Sequence, residues 1–304
     1  MLVSGLVGCG PEIPRSYVYN GPLIEKRVPL VKEVYHPVEG KATMALTLAL
    51  LDLNGDKTFD YSIEFNAGEI ISFRELNGTA ESAYWPREFE YNTRPEGIEV
   101  SPVLAGFYEA ATAPATAETL EKLYAAKPAK AQAWHLAVQL RNGQGDDTGK
   151  IIARAGDALA RGIFADQSAF ILAGYGEKGV RELGKALRTT TNPKIAEKIS
   201  AALVASKTSA FSVLEDITVV LEKGGEPMQR ALLQILAAEA IRHPQDIRPF
   251  LHRLDAVAPK RDLEYNDRLK EIWILAISTG LSQSGALQGA QTAPIDVRTN
   301  PQGR

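Results

Sequence analysis

The chain is predicted to be an α+β protein with an N-terminal antiparallel β domain followed by an α-helical domain. Aromatic residues indicate the division, because 13 of the 22 lie within residues 10–112. Charge changes at the same place: of the 37 acidic and 34 basic side chains, residues 10–112 hold 16 and 9. Aromatic residues that alternate with polar ones are typical of strands, whereas Ala, Leu, Lys and Glu at helical spacing predict helices.

The β domain is assigned to residues 10–112 because several segments there have strand-like patterns. In Lys57–Phe65 the aromatic and aliphatic side chains alternate with polar ones, as on a half-buried strand. The preceding apolar segment, Thr43–Leu53, predicts a buried strand, and Asn54-Gly55 between the two favours a tight hairpin turn. Further strands are predicted at Val28–Tyr35, Glu69–Leu76 and Glu88–Tyr91.

The helical domain is assigned to residues 113–281, where apolar residues recur at helical spacing between short turns. Asn192-Pro193 is typical of a helix start, with a capping side chain followed by proline in the first turn. The segment after it, residues 282–304, has too few large apolar residues to pack and is predicted to be a disordered tail. The predicted helices are 116–126, 128–141, 147–162, 166–174, 177–189, 193–206, 209–222, 226–242, 245–256 and 262–280.

Two sets of apolar residues recur after 33 or 34 residues within the predicted helices. The first set is Val180, Leu183, Ala186 and Leu187, which recurs as Leu214, Ile217, Val220 and Leu221, and then as Ile247, Phe250 and Leu254. The second set is Ile195, Ile199, Ala202 and Leu203, which recurs as Met228, Leu232, Ile235 and Leu236. Pro193 also recurs as Pro227. A non-repeating helical bundle is the alternative.

This recurrence resembles the HEAT-like repeat family, particularly its short bacterial type, over about residues 115–280. The segments 192–195 and 226–229 stand where that family has a turn, a proline and an apolar start to the second helix. The family's arginine is missing, since Ala196 and Gln229 occupy its place. The resemblance implies an α-helical solenoid, and solenoids bind other proteins along an extended concave surface.

Composition excludes several other classes of protein. Hydrophobic residues make up 45% of the 304 residues and charged residues 23%, as in globular proteins. A formal net charge of -3 gives no indication of a nucleic-acid partner. The single cysteine excludes an internal disulfide and a multi-cysteine metal site. No apolar run reaches the roughly 18 residues that a membrane-spanning helix needs.

The single cysteine, Cys9, follows Leu6-Val7-Gly8, and the four residues resemble the lipobox of bacterial lipoproteins. In that family the signal peptide is removed before the cysteine, whose thiol carries lipid, so residues 1–9 would contain the end of a signal and the lipidated cysteine. The glycines and prolines between Gly10 and Pro22 suit a tether. Lipoproteins of the retention type carry Asp after the cysteine, so with Gly10 in that place the resemblance implies an outer-membrane or surface location. An ordinary N-terminal cysteine is the alternative.

The segment from Asp52 to Asp60 has the spacing of an EF-hand-like calcium loop. Calcium needs several oxygen ligands around one point, and Asp52, Asn54 and Asp56 fill the first three positions. Thr58 would contribute its carbonyl, and Asp60 stands at the ninth position. Lys57 occupies the position of the usual glycine. The alternative is a tight turn with solvated aspartates.

Residues Gly174 to Gly179 match G-x-G-x-x-G, the dinucleotide-binding pattern. The pattern requires a strand before it, at residues 169–173, and a second strand after the helix. A helix-terminating turn with glycines is the alternative. No G-x-S-x-G or H-E-x-x-H motif indicates an enzyme.

These observations predict a lipid-anchored protein of the bacterial envelope that is not an enzyme. It would act as a scaffold for other envelope proteins through a helical-repeat surface. Two alternatives remain: a nucleotide-binding enzyme that uses Gly174–Gly179, and a calcium-binding adhesion module that uses Asp52–Asp60.

Overall fold

The structure is a computed structural model that describes residues 17–23, 30–41, 43–76, 90–142, 147–223, 226–258 and 262–283. The chain has a β region followed by helices, so it is an α+β protein. It forms two compact units, Met1–Ala158 and Leu159–Arg304, which divide within a helix rather than at the change of composition near residue 112.

The first unit contains a six-stranded sheet with the strand order β5-β4-β3-β2-β1-β6. Strands β1 to β5 pair antiparallel with their neighbours, and β6 pairs with β1 in parallel. The strands are β1 (Tyr17–Pro22), β2 (Leu30–Pro37), β3 (Met44–Leu51), β4 (Tyr61–Asn66), β5 (Glu69–Glu75) and β6 (Glu90–Tyr91).

Strand β1 lies in the segment that composition favours as a tether. Tyr17 pairs with Tyr35 of β2, and the side chains of Val18 and Tyr19 are buried. The tether prediction is therefore wrong for residues 17–22, which belong to the sheet. The short strand ends in Gly21-Pro22. These residues are typical of turns, so the sequence pattern does not predict a strand here.

The expected Asn54-Gly55 hairpin is replaced by a longer loop over residues 52–60, and β4 begins only at Tyr61. The backbone amide of Asp60 still donates to the carbonyl of Leu51 at 2.7 Å, so the loop closes next to the end of β3. The two-residue turn instead joins β4 to β5 through Ala67 and Gly68, both with positive φ, as a type I′ hairpin turn requires.

Four helices follow the sheet: α1 (Pro102–Thr112), α2 (Ala117–Tyr124), α3 (Lys130–Asn142) and α4 (Thr148–Ala160). Phe73 of β5 stacks on Trp134 of α3 at 4.3 Å and on Phe107 of α1 at 5.3 Å between ring centroids. Beside this aromatic cluster, Arg141 of α3 donates to both carboxylate oxygens of Glu75 at 2.7 and 2.6 Å. Aromatic packing and a buried ion pair therefore fasten α3 to the sheet.

Seven helices of the second unit are described: α5 (Ala165–Ala173), α6 (Gly176–Thr189), α7 (Pro193–Ala205), α8 (Leu214–Lys223), α9 (Glu226–Arg242), α10 (Arg248–Val257) and α11 (Leu263–Gln283). They pack in two rows. One row contains α5, α7, α9 and α11 in that order, and the other contains α6, α8 and α10. Ten helices predicted from the sequence are present, whereas α1 was not expected.

Successive helices of the first row are joined at their C-terminal ends, where main-chain carbonyls have no partner within the helix. The Ser206 hydroxyl after α7 donates to the carbonyl of Ala173 in α5 at 3.3 Å. Arg242 of α9 donates to the carbonyl of Ser206 at 2.9 Å, and Gln283 of α11 donates to that of Ile241 at 3.4 Å. The C-terminal end of each helix thus supplies a side chain that binds a carbonyl at the C-terminal end of the preceding helix in the row.

Candidate protein-binding surface

The predicted lipidation residue, Cys9, lies outside the described residues, as does the whole segment 1–16. Lipidation therefore stays a prediction. Among the helices that the structure describes, none is long and apolar enough to span a membrane.

In the loop 52–60, backbone amides donate to the oxygens proposed for calcium. The buried Asp52 carboxylate accepts from the amides of Gly55 at 2.7 Å and Lys57 at 2.9 Å. The side-chain oxygen of Asn54 accepts from the amide of Asp56 at 2.8 Å. Lys57 has a φ of 70°, the left-handed conformation that glycine adopts more easily. Asp52, Asn54 and Asp56 therefore belong to one internally hydrogen-bonded loop.

Asp56 and Asp60 complete this network. The amide and hydroxyl of Thr58 both donate to Asp56. The carboxylate of Asp60 accepts from the amide of Leu53 at 2.9 Å and from the side-chain amide of Asn54 at 3.0 Å. Burial raises the pKa of the Asp60 carboxyl above its ordinary value. The amide hydrogen bonds oppose this rise, and the nearby charges of Asp52 and Asp56 add to it.

The geometry of the loop gives calcium no support beyond the spacing. Within the described ranges, no group of three or more His, Cys, Asp or Glu side chains is placed to hold a metal ion. The calcium assignment to Asp52, Asn54, Asp56, Thr58 and Asp60 stays a prediction from the sequence.

The structural condition for a dinucleotide site at Gly174–Gly179 is not met. Residues 165–173 form helix α5, not a strand, and the amide of Gly174 closes that helix by donating to the carbonyl of Ile171 at 3.0 Å. Gly176 has a φ of 57°, as a turn between helices requires. A β-carbon at Gly179 would lie 1.8 Å from the carbonyl oxygen of Leu172. The glycines therefore allow α5 and α6 to pack closely.

Three basic side chains on α6, those of Arg181, Lys185 and Arg188, lie next to acidic partners. Arg181 pairs with Glu177 at 2.5 Å and Lys185 with Glu182 at 2.6 Å on the same helix. Arg188 reaches Asp216 of α8 at 3.1 Å. These pairs favour a solvated helix face over an anion site.

The first unit contains a cluster of charged and aromatic side chains around the buried Glu33, and its hydrogen bonds give it a structural role. Arg94 donates two hydrogen bonds to the fully buried Glu33, at 2.7 and 2.9 Å, and one to the carbonyl of Leu23. Its guanidinium lies 4.2 Å from the ring centre of Tyr19. Burial raises the pKa of Tyr35, and the hydrogen bond from its hydroxyl to Glu33 adds to the effect. Although burial alone would lower the pKa of Arg94, Glu33 raises it overall.

An open groove lies between α9 and α11 on the first row of the second unit. Its floor is apolar, formed by the buried Leu233 of α9 and Ile272 of α11. Small or uncharged side chains, including Ala237 and Gln234, line the α9 side. The groove therefore offers a shallow apolar surface along two adjacent helices, which suits a peptide segment or a helix.

The rim of the groove carries charges of both signs. Arg230 pairs with Glu264 at 2.7 Å across the two helices, and Arg268 pairs with Glu271 at 2.9 Å along α11. All four side chains are more than half exposed. Exposed pairs contribute little to stability, so the partners can be exchanged for charges on a bound protein at small cost.

None of the groove residues was singled out from the sequence. The charged groove residues occupy exposed positions of α9 and α11, whereas Leu233 and Ile272 belong to the core. The signal that could have identified the charged residues is the helical spacing of the apolar ones, because the polar positions between them lie on the exposed side of each helix.

Comparisons with protein-family models, with curated proteins and with solved structures found no match to this chain.

Proposed function

We propose that the chain is a lipoprotein of the bacterial cell envelope that acts as a scaffold for other envelope proteins. Leu6–Cys9 supports the anchor through its resemblance to a lipobox. Each buried methylene of an acyl chain contributes about 0.8 kcal/mol, so two or three chains hold a protein firmly at a membrane. Gly10 after the cysteine favours the outer membrane or the cell surface.

The packing of the second unit supports a HEAT-like solenoid as the scaffold. The recurring residues Leu183, Ile217 and Ile199 are fully buried, and helices two apart in the chain contact each other along each row. Ion pairs such as Asp166–Lys198 at 2.5 Å also join adjacent members of a row. Stacked helix pairs of this kind create the surfaces on which repeat proteins bind their partners.

The groove between α9 and α11 is the observation that carries the binding function. It combines an apolar floor with an exposed rim of both charges, which is the composition of protein-binding surfaces. The partner that fits is an extended or helical protein segment with small apolar side chains and charges of both signs. The proposal gives the groove a binding role and not a catalytic one.

Substitution in the groove tests the binding function. Ala237→Arg places a long charged side chain in the groove on a helix surface that tolerates arginine. Envelope proteins cross-linked to the wild-type chain in intact membranes should be lost from this variant. Ala256→Arg, at an exposed position of α10 in the other row, is the matched control and should retain them. Equal recovery of partners with both variants would refute a role for the groove.

Radiolabelled fatty acid tests the anchor independently. The wild-type chain should incorporate label and sediment with membranes, whereas Cys9→Ala should do neither. Unchanged labelling of the variant would disprove lipidation at Cys9 without affecting the groove test.

A further inference from the structure

The outer face of α11 carries four exposed large apolar side chains. Leu263 is 81% exposed, Ile274 67%, and Ile277 and Leu281 are each 45% exposed. The side chains of this helix that pack against the rest of the second unit lie on its opposite side: Tyr265, Leu269, Ile272, Ala276 and Gly280. Large apolar side chains exposed along one side of a helix indicate an interaction surface.

These residues belong to a pattern with alternating spacings of four and three. Adding Asp267 and Lys270 gives six exposed positions: 263, 267, 270, 274, 277 and 281. At 3.6 residues per turn, all six fall within an arc of about 80° around the helix. This is the spacing of a coiled-coil seam, in which the residues of one helix pack between those of a second helix. We call these six positions the α11 seam.

We propose that the seam positions 263, 267, 270 and 274 of α11 bind the same four positions of a second copy of this chain, with the two helices antiparallel, and that Ile277 and Leu281 lie beyond the overlap. The charges of the seam select both the partner and the direction. Asp267 and Lys270 stand between the apolar Leu263 and Ile274, with equal spacing on either side.

In this antiparallel dimer the twofold axis passes between residues 268 and 269 of both copies. Leu263 then packs against the partner's Ile274. Asp267 then meets the partner's Lys270, and the same two contacts recur by symmetry, as an isologous interface requires. In a parallel arrangement Asp267 would meet the partner's Asp267, and the like charges would repel. These four positions are thus complementary to themselves only when the helices run in opposite directions.

Within the monomer, Lys270 and Asp267 pair with each other at 3.3 Å, with side chains 73% and 69% exposed. Such a pair is weak and exchanges readily for contacts with another molecule. The overlap of residues 263–274 is about 18 Å long, which makes a small interface. We therefore expect a dimer with micromolar affinity.

Analytical ultracentrifugation of the full chain tests the proposal. Wild-type protein should change from one to two chains in mass between low and high micromolar concentration. Lys270→Asp and Asp267→Lys, each alone, place like charges opposite each other and should raise the dissociation constant about tenfold or more. Lys185→Asp, an equal change of charge at an exposed site on α6, should have no effect.

Two further measurements separate this arrangement from its competitors. The double exchange Asp267→Lys with Lys270→Asp restores opposite charges across an antiparallel seam, so dimerisation should return. In a Cys9→Ala background, Asp267→Cys mixed with Lys270→Cys should form a disulfide between the two variants.

A disulfide between two copies of the Asp267→Cys variant would instead demonstrate a parallel arrangement and contradict the proposal. Wild-type protein that stays monomeric at every concentration would also overturn it. Dimerisation of that protein after deletion of residues 284–304 would then show that the chain's own C-terminal segment covers the seam.

Discussion

The carboxylate of Glu239, in the last turn of α9, accepts a hydrogen bond from the backbone amide of Ala210 at 3.0 Å. Its side chain is fully buried. It also accepts from the Ser209 hydroxyl at 2.5 Å and from Arg242 at 2.8 Å. One buried carboxylate therefore holds the connection between α7 and α8 against α9, the helix that forms one side of the groove.

We predict that Glu239→Ala lowers the free energy of unfolding by about 3–5 kcal/mol, because it leaves the donors of Ser209, Ala210 and Arg242 without their buried acceptor. Glu239→Gln keeps an acceptor oxygen and should cost less, about 1–3 kcal/mol. Urea denaturation measures both. Glu264→Ala, which breaks an exposed pair with Arg230, serves as control and should cost less than about 1 kcal/mol. Equal losses at positions 239 and 264 would contradict a structural role for Glu239.

Close helix packing at Gly179 gives a second prediction. A β-carbon there would overlap the carbonyl oxygen of Leu172, so Gly179→Ala should force α5 and α6 apart. We expect a loss of about 1–3 kcal/mol or more in the free energy of unfolding. A β-carbon at Gly149 of α4 would meet no atom of the described residues within 4 Å, so Gly149→Ala should stabilise its helix by about 0.5–1 kcal/mol. Thermal or urea denaturation should show opposite signs for the two variants.

The sequence was sufficient to predict most helices, since their apolar residues recur at helical spacing and their starts carry capping signals. Asn192 shows this directly: its side chain accepts from the amide of Lys194 at 3.0 Å, with Pro193 in the first turn. Helix α1 was missed because it contains Gly106 and two aromatic residues, which are typical of strands and turns. Gly106 is explained only by packing, since the His135 ring occupies the space of its β-carbon.

The candidate site was harder to predict, because it depends on which positions remain exposed after the helices pack. Arg230 and Glu264 are 34 residues apart, and nothing local marks either residue. The parallel pairing of β6 with β1 was equally hidden, since two-residue strands carry almost no pattern. Periodicity therefore predicts elements and cores, whereas surfaces and long-range pairings require the packed structure.

The ion pair between Arg141 and Glu75 gives a prediction for the first unit. Both side chains are more than 90% buried, so Arg141→Met or Glu75→Met alone leaves a charge buried without its partner. Each should cost about 3–5 kcal/mol, whereas the double variant should lose much less than the sum. A double-mutant cycle by urea denaturation measures the coupling. Additive losses would show that the two charges contribute independently.

The last prediction concerns acid stability and His135. Burial lowers the pKa of its ring below the ordinary value of 6.5, against the opposing effects of a hydrogen bond to the Val103 carbonyl and the charge of Glu109. The unfolded chain therefore takes up a proton near pH 6.5, before the folded chain does. Stability from this group is complete above that pH and is lost as the pH falls toward the folded pKa. His135→Gln should reduce the slope of unfolding free energy between about pH 7 and pH 5, because glutamine does not titrate. Urea denaturation across this range measures the slope, and an identical slope in the variant would show that His135 does not contribute to acid destabilisation.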